Sequence, residues 1–223
     1  MIKMRIIYLI DFNCPFSYIG LHRLKKAVSE LNLNVEWEMR SFELEDLPDD
    51  EVTSTTERYA VKYQLSPEDA ENKIREIEEI ASGDGLNINF KDLKLTSSAN
   101  AHRLVKYCEN KHPEITLKLV CRIFHANFVK NSHISDIDTL TEISKTCDLN
   151  EDEVRRVLES NSYGIEAYLD REEALFNGIN TTPYFIVSKK GERLMIPGVF
   201  STEEFKTALK DLNSGEINNK SFI

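Results

Sequence analysis

The chain has 223 residues, 41% of them hydrophobic, so it can bury a core and is no candidate for wholesale disorder. Its formal net charge of −10, with no basic stripe, excludes a nucleic-acid backbone binder, and no apolar run reaches the length of a membrane span. The first residues enter a strand at once, without an apolar leader or a small-residue cleavage site, and the four cysteines are widely spaced; both features point to reduced thiols in the cytoplasm.

A strand is expected from Ile2 to Ile10, and Ile6 to Ile10 is apolar enough for a central position covered on both faces. Leu21, Leu24, Val28 and Leu31 follow with helical spacing, which predicts a helix from about Pro15 to Leu31. Between them runs Asp11-Phe12-Asn13-Cys14-Pro15-Phe16-Ser17-Tyr18-Ile19-Gly20. Proline suits the first helical position, where its missing N–H costs nothing, so Cys14 becomes the N-cap, its sulfur facing the free amides of the first turn. Those amides and the helix dipole favour a thiolate; an ordinary cysteine titrates near about 8.5, and helix N-termini can lower that to roughly 3.5–7.5. The expectation is a nucleophilic sulfur with a lowered pKa.

Asn32-Leu33-Asn34 makes a turn. Val35, Trp37 and Met39 then alternate with Glu36, Glu38 and Arg40, a period-two strand. Strand, helix and strand in this order predict a right-handed βαβ unit with a parallel pair. Glu43 to Asp50 is acidic and contains Pro48. From about Thr56 to Gly178 the pattern is helical. Ser66-Pro67-Glu68-Asp69 opens a helix bearing Ala70, Ile74, Ile77 and Ala81; Ser82-Gly83-Asp84-Gly85 lacks the lysine of a phosphate loop and reads as a turn. Further helices carry Ala101, Leu104, Val105 and Cys108; then Leu117, Val120, Cys121, Phe124 and Phe128; then, capped by Ser135, Leu140, Ile143 and Cys147; then, opened by Asn150, Val154, Val157 and Leu158; the last spans Ile165 to Phe176. Tyr184 to Val187 and Arg193 to Ile196 form a hairpin about Gly191. Thr202 caps a final helix with Phe205, Ala208, Leu209 and Leu212 on one side, and the residues after Asn213 read as a tail.

The order βαβ, helical block, ββα is the layout of an α/β thioredoxin-like domain, residues 1–45 and 179–213, with an all-helical insertion at 46–178 and a tail at 214–223. Three segments carry a resemblance to a known family across nearly the whole chain: residues 11–20 above, Ala99-Asn100-Ala101-His102-Arg103-Leu104, and Gly178-Ile179-Asn180-Thr181-Thr182-Pro183-Tyr184-Phe185. The chain resembles the DsbA-like thioredoxin-fold family in its FrnE-type branch, related to 2-hydroxychromene-2-carboxylate isomerases and kappa-class glutathione transferases. The resemblance implies a Cys-Pro-x-Cys dithiol, from which this chain departs, since Ser17 stands at the second cysteine's place. It also implies that Pro183 is cis and lies against the cysteine, with the Thr182 N–H and C=O open to the backbone of an extended peptide or of glutathione.

The expected site is therefore Cys14 and Ser17 as the catalytic pair, with Pro15, Phe16, Thr182, Pro183, Asn100 and His102 binding substrate. Cys14 alone can form only a mixed disulfide, which another thiol must resolve; the Ser17 hydroxyl can still donate to a thiolate. His102 has two readings, a proton-handling partner of the sulfur or a packing residue at a helix start. A carboxylate at Asp11 opposes a nearby thiolate, yet can accept a proton during turnover. Cys108, Cys121 and Cys147 are in phase with apolar faces and read as core. Cys108/His112 and Cys121/His125 have i, i+4 spacing, but their helix levels do not match, so no metal site is expected.

The first functional expectation is a cytoplasmic thiol-disulfide oxidoreductase acting through Cys14 as a monothiol. Its partners are a disulfide-containing protein or a small thiol, and no cofactor is tightly bound; glutathione or another low-molecular-weight thiol serves as cosubstrate. Two alternatives stay open: a glutathione-dependent isomerase or transferase in which Ser17 serves the bound thiol, and a non-catalytic peptide-binding module. A monomer and a homodimer fit equally, with neither nucleic acid nor membrane as partner.

Overall fold

The computed structural model describes residues 3–48 and 54–215. Four strands form one sheet in the order β2-β1-β3-β4: β1 (Met4–Ile10), β2 (Val35–Ser41), β3 (Tyr184–Lys189) and β4 (Glu192–Pro197). β1 runs parallel to β2 and antiparallel to β3, and β3 pairs with β4 as a hairpin. The two-residue hairpin loop is Lys190-Gly191, with φ of 52° and 87°. Positive φ at both central positions is what a type I′ turn requires, and glycine takes the second without strain. The βαβ-ββα fold is thus present, with α1 (Pro15–Glu30) between β1 and β2 and α9 (Thr202–Ser214) after β4.

Successive side chains of a strand point to opposite faces, and the sheet uses both. Met4, Ile6, Tyr8 and Ile10 of β1 are all buried, and so are Phe185, Val187, Leu194 and Ile196, which the pairing places on the same face. Helices α1 and α9 cover that face: the Phe205 ring stands edge-on to Phe185 at 5.4 Å. On the other face, Leu9, Phe42, Ala174 and Ile179 form a second cluster, with Ile7, Leu44, Tyr184 and Ile186 packed against it.

The chain divides into two compact units, with breaks after residues 44 and 168. The insertion boundary therefore lies nearer residue 168 than the 178 expected from sequence. The cause is α8 (Gly164–Phe176), one continuous helix whose last turns belong with the sheet. There the Asp170 carboxylate takes Arg40 at 2.7 Å and the Ser41 N–H at 3.0 Å, and Ala174 enters the second cluster. The helical unit holds α2 (Thr55–Tyr63), α3 (Pro67–Gly83), α4 (Ala99–Lys111), α5 (Thr116–Phe128), α6 (Ile137–Lys145) and α7 (Glu151–Glu159).

 The last of these, Glu151–Glu159, starts on Asn150, whose side chain accepts the Glu153 N–H, and ends on Arg103. The Arg103 guanidinium donates to the carbonyls of Val157 at 2.6 Å and Ser162 at 2.9 Å, and also to that of Ser160. These carbonyls include ones left without partners where a helix stops, and a cation there also suits the helix dipole.

Several sequence expectations shift by a residue. Asp136, not Ser135, caps α6, and Ser201, not Thr202, caps α9 within a capping box closed by Glu204. Helix α2 also opens on such a box, Ser54 with Glu57. Cys108 and Cys147 are buried, but Cys121 is only half-buried, because the core face of α5 runs through Leu119, Val120, Ile123 and Phe124. Of the segments read from sequence, Ile2 at the strand start, Asp49 and Asp50 of the acidic stretch, and residues 216–223 of the tail lie outside the described residues.

Candidate active site

Cys14 is the N-cap of α1, in extended backbone conformation, with Pro15 at the first helical position. The loop ahead of it is fixed by Asp11. One carboxylate oxygen accepts the Asn13 N–H at 2.9 Å and the other the Leu44 N–H at 2.8 Å, while the Asp11 carbonyl accepts the Cys14 N–H at 3.1 Å. The first of these is an Asx turn, in which an aspartate folds the chain over itself two residues on. Asp11 thus ties the end of β1 to the chain leaving β2 and sets where Cys14 sits.

The Thr182-Pro183 bond is cis, as the resemblance implied. The Cys14 thiol points to the Thr182 carbonyl, with sulfur and oxygen 3.6 Å apart. The structure therefore brings together Cys14, Pro15, Phe16, Ser17, Thr182 and Pro183, all within the sheet-bearing unit. Ser17, one turn into α1, is fully buried. Its hydroxyl accepts the Asp11 N–H at 3.4 Å, which leaves its own proton free for the sulfur. The Thr182 hydroxyl is buried and, with no other partner among the described residues, can turn to a Cys14 thiolate.

The charge state differs from the sequence expectation. Cys14 is buried, with 6% of its surface exposed, and loss of solvation drives its pKa up rather than down. The Ser17 and Thr182 hydroxyls and the Ser17 N–H pull it back, the negative charge of Asp11 adds to the rise, and the net direction is upward. The helix start supplies amides as expected, but burial of an ion outweighs them. At neutral pH the resting group is a thiol, its S–H turned to the Thr182 carbonyl.

Gly20 lets α1 lie close to this loop. A Cβ there would sit 3.0 Å from the Pro183 ring and 3.3 Å from Phe185. Gly20→Val is expected to destabilise the protein by about 1–3 kcal/mol through overpacking, read as a lower thermal midpoint with the Cys14 environment disturbed.

Asn100 and His102 lie on α4 in the helical unit. The Asn100 amide donates to the Ser135 carbonyl at 2.8 Å and accepts from Arg103 at 2.8 Å, a structural role within that unit. His102 is fully buried, and burial, with a smaller push from Lys106, lowers its pKa to about 3. It is neutral at physiological pH, which removes the reading in which an imidazolium favours the thiolate and leaves the packing role. An unfolded histidine titrates near about 6.5, so below that pH the unfolded chain takes up a proton that the native state refuses until about pH 3. Stability is expected to fall on going from pH 7 to pH 5, by about 2 kcal/mol from this group. Urea unfolding at both pH values checks it: His102→Gln should show the smaller pH dependence.

The sequence points to the Thr182 backbone but not to its hydroxyl, and it leaves the scaffold role of Asp11 open. The Asp-x-Asn spacing was the available signal for the second; nothing in the sequence pointed to the first. Among the described residues no group of three or more His, Cys, Asp or Glu side chains is placed to hold a metal ion, and no helix is long and apolar enough to cross a membrane.

The chain matches the model of the DSBA-like thioredoxin domain over residues 5–210. It is similar to the crystal structure of a probable DsbA oxidoreductase, SCO1869 from Streptomyces coelicolor, at 26% identity and a TM-score of 0.86, covering 99% of this chain and 94% of that one. It shares its fold with a 2-hydroxychromene-2-carboxylate isomerase, at 14% identity and a TM-score of 0.69, covering 97% and 100%. It shares it also with the cytosolic disulfide reductase DsbM from Pseudomonas aeruginosa, solved with GSH, at 15% identity and a TM-score of 0.57, covering 95% and 96%. With the cis-proline loop against an N-capping cysteine and a family match over nearly its whole length, the chain belongs to the DsbA-like thioredoxin-domain family.

Proposed function

We propose that this protein is a cytoplasmic thiol-disulfide exchange enzyme that works through Cys14 as a single thiol. The observation that carries the reading is the placement of Cys14: it is the only cysteine of the sheet-bearing unit, and its sulfur lies against Thr182 at 3.6 Å with Ser17 in the second-cysteine position. The likeness to a probable DsbA oxidoreductase and to a disulfide reductase solved with GSH supports the same chemistry.

In the exchange, Cys14 gives up its proton and the thiolate attacks one sulfur of a substrate disulfide. A Cys14–S–S–R bond forms, the substrate S–S bond breaks, and the departing thiolate takes a proton. A second thiol, glutathione or one of a partner protein, then attacks the mixed disulfide, and Cys14 is released as a thiolate that is reprotonated. Donation from the Ser17 hydroxyl, the Ser17 N–H and the Thr182 hydroxyl holds the thiolate during both steps, and each of them lowers the Cys14 pKa. The Thr182 N–H, which donates to nothing among the described residues, is free for a backbone carbonyl of the substrate.

The isomerase or transferase alternative needs Ser17 to touch an incoming thiol. Ser17 is 0% exposed and serves the sulfur of its own chain, which weighs against it. The test is to incubate the reduced protein with oxidised glutathione and locate the adduct by peptide mass spectrometry. One adduct, on Cys14, is expected. Adducts confined to Cys108, Cys121 or Cys147 would overturn the proposal.

A further inference from the structure

We infer that the sheet face opposite α1 carries a second site, which binds the monoanion of a single-chain aliphatic carboxylic acid. This inference is independent of the Cys14 chemistry. The site is a cavity of about 280 Å³ within the sheet-bearing unit. Its floor is apolar: Ile7 of β1, Ile186 of β3 and Met195 of β4 lie side by side in register. The Leu9–Tyr184 pair continues the floor toward one end, and the inward face of α8 at Ala174 forms a wall. The floor is open, since Met195 remains 50% exposed.

The charges along the cavity decide what fits. Its two acids, Asp170 and Glu173, both face Arg40, at 2.7 and 3.8 Å, and Arg40 also pairs with Glu38 at 2.6 Å. Glu38 in turn holds Arg5, the neighbouring cation on this face. That cluster sets three carboxylates against two guanidiniums, and both of those cations are engaged within it. Arg193, at the far end of β4, lines the same cavity and makes no ion pair or side-chain hydrogen bond among the described residues. An apolar trough that ends on an uncommitted guanidinium suits a ligand with an apolar body and one anionic head, and a guanidinium fork matches a carboxylate better than a point charge would.

Length narrows the choice further. From Arg193 to Pro197, the partner of Tyr184, β4 advances four residues, which is about 13 Å at roughly 3.3 Å per residue. A medium-length acyl chain laid along β4 spans that distance, with its carboxylate at Arg193 and its tail over Met195 and Ile186 toward Leu9. Burial already raises the Tyr184 pKa, in keeping with a dry end for the tail.

Isothermal titration calorimetry with decanoate tests the site. Wild type should bind, with saturable heat, and Cys14→Ala should bind equally well. Arg193→Glu and Met195→Glu change exposed side chains, and their fold can be checked by circular dichroism; each should weaken binding at least tenfold. Decyltrimethylammonium, with the same tail and opposite charge, should not bind. Absence of decanoate binding, equal binding by Arg193→Glu, or binding of the cationic analogue with similar affinity would each overturn the inference. Failure here leaves glutathione adduct formation on Cys14 untouched, so the two readings fall separately.

Discussion

Cys14→Ala is expected to lose disulfide exchange by a factor on the order of 10³ or more, the scale on which enzymes respond to loss of a nucleophile. The other three cysteines cannot replace it in place. Cys108 is buried, accepts the Thr116 hydroxyl at 3.5 Å and has its pKa pushed up to about 11. Cys147 is buried, and its pKa is raised by the same cause. Cys121 is half-buried on α5 of the helical unit. None stands at a helix start. The rate of reduction of a small disulfide by wild type and variant, with excess glutathione as resolving thiol, gives the comparison. Folding should be little affected, because alanine fills most of the space of a small thiol whose S–H···O interaction with the Thr182 carbonyl is long, at 3.6 Å. A variant that keeps a tenth of the wild-type rate would remove Cys14 from the chemistry.

Ser17→Cys is expected to change the kind of reaction. Residues 14 and 17 are one helical turn apart, and the Ser17 N–H donates to the Cys14 carbonyl at 3.0 Å. Side chains at i and i+3 approach within about 5–6 Å at Cβ, and the N-cap geometry can close the remaining gap to a disulfide. The introduced thiol would then attack the Cys14 mixed disulfide from within the molecule, releasing the bound thiol and leaving an internal disulfide. Well-oriented intramolecular steps gain very large effective concentrations, about 10⁵ M and above, so release should no longer depend on added thiol. The glutathione adduct on Cys14 should disappear, replaced by a protein two hydrogen atoms lighter than its reduced form, and disulfide reductase turnover with a dithiol reductant should rise at least tenfold. If adduct and rate both match wild type, residue 17 does not face the sulfur.

Much of this was legible in the sequence because the signals are local. The N-cap at Cys14 follows from Pro15, the strand at Val35 to Arg40 from its alternation, the parallel pair from the order strand, helix, strand, and the hairpin from Gly191. The break within α8 was not legible: Ile165 to Phe176 has one helical rhythm, and only the Arg40–Asp170 ion pair and the seat of Ala174 show that its end belongs with the sheet. The charge state of Cys14 was not legible either. Helix amides and dipole are written in the residues beside the cysteine, whereas desolvation depends on everything packed around it, which sequence order does not display. His102 makes the same point. Its place near a helix start can be read, but its complete burial cannot, and burial determines that it stays neutral.

A sulfur that is protonated at rest, and reacts only through the small fraction that ionises, makes exchange pH-dependent in a definite sense. The raised pKa means the rate climbs with pH, about tenfold per unit below the folded-state pKa, since only the thiolate attacks. The most direct measurement is the rate of Cys14 alkylation by iodoacetamide from pH 6 to pH 10, followed at that residue by mass spectrometry. The expected result is a midpoint above the ordinary cysteine value of about 8.5, moving higher still in Ser17→Ala as one donor to the thiolate is lost. A midpoint below pH 7 would contradict the account.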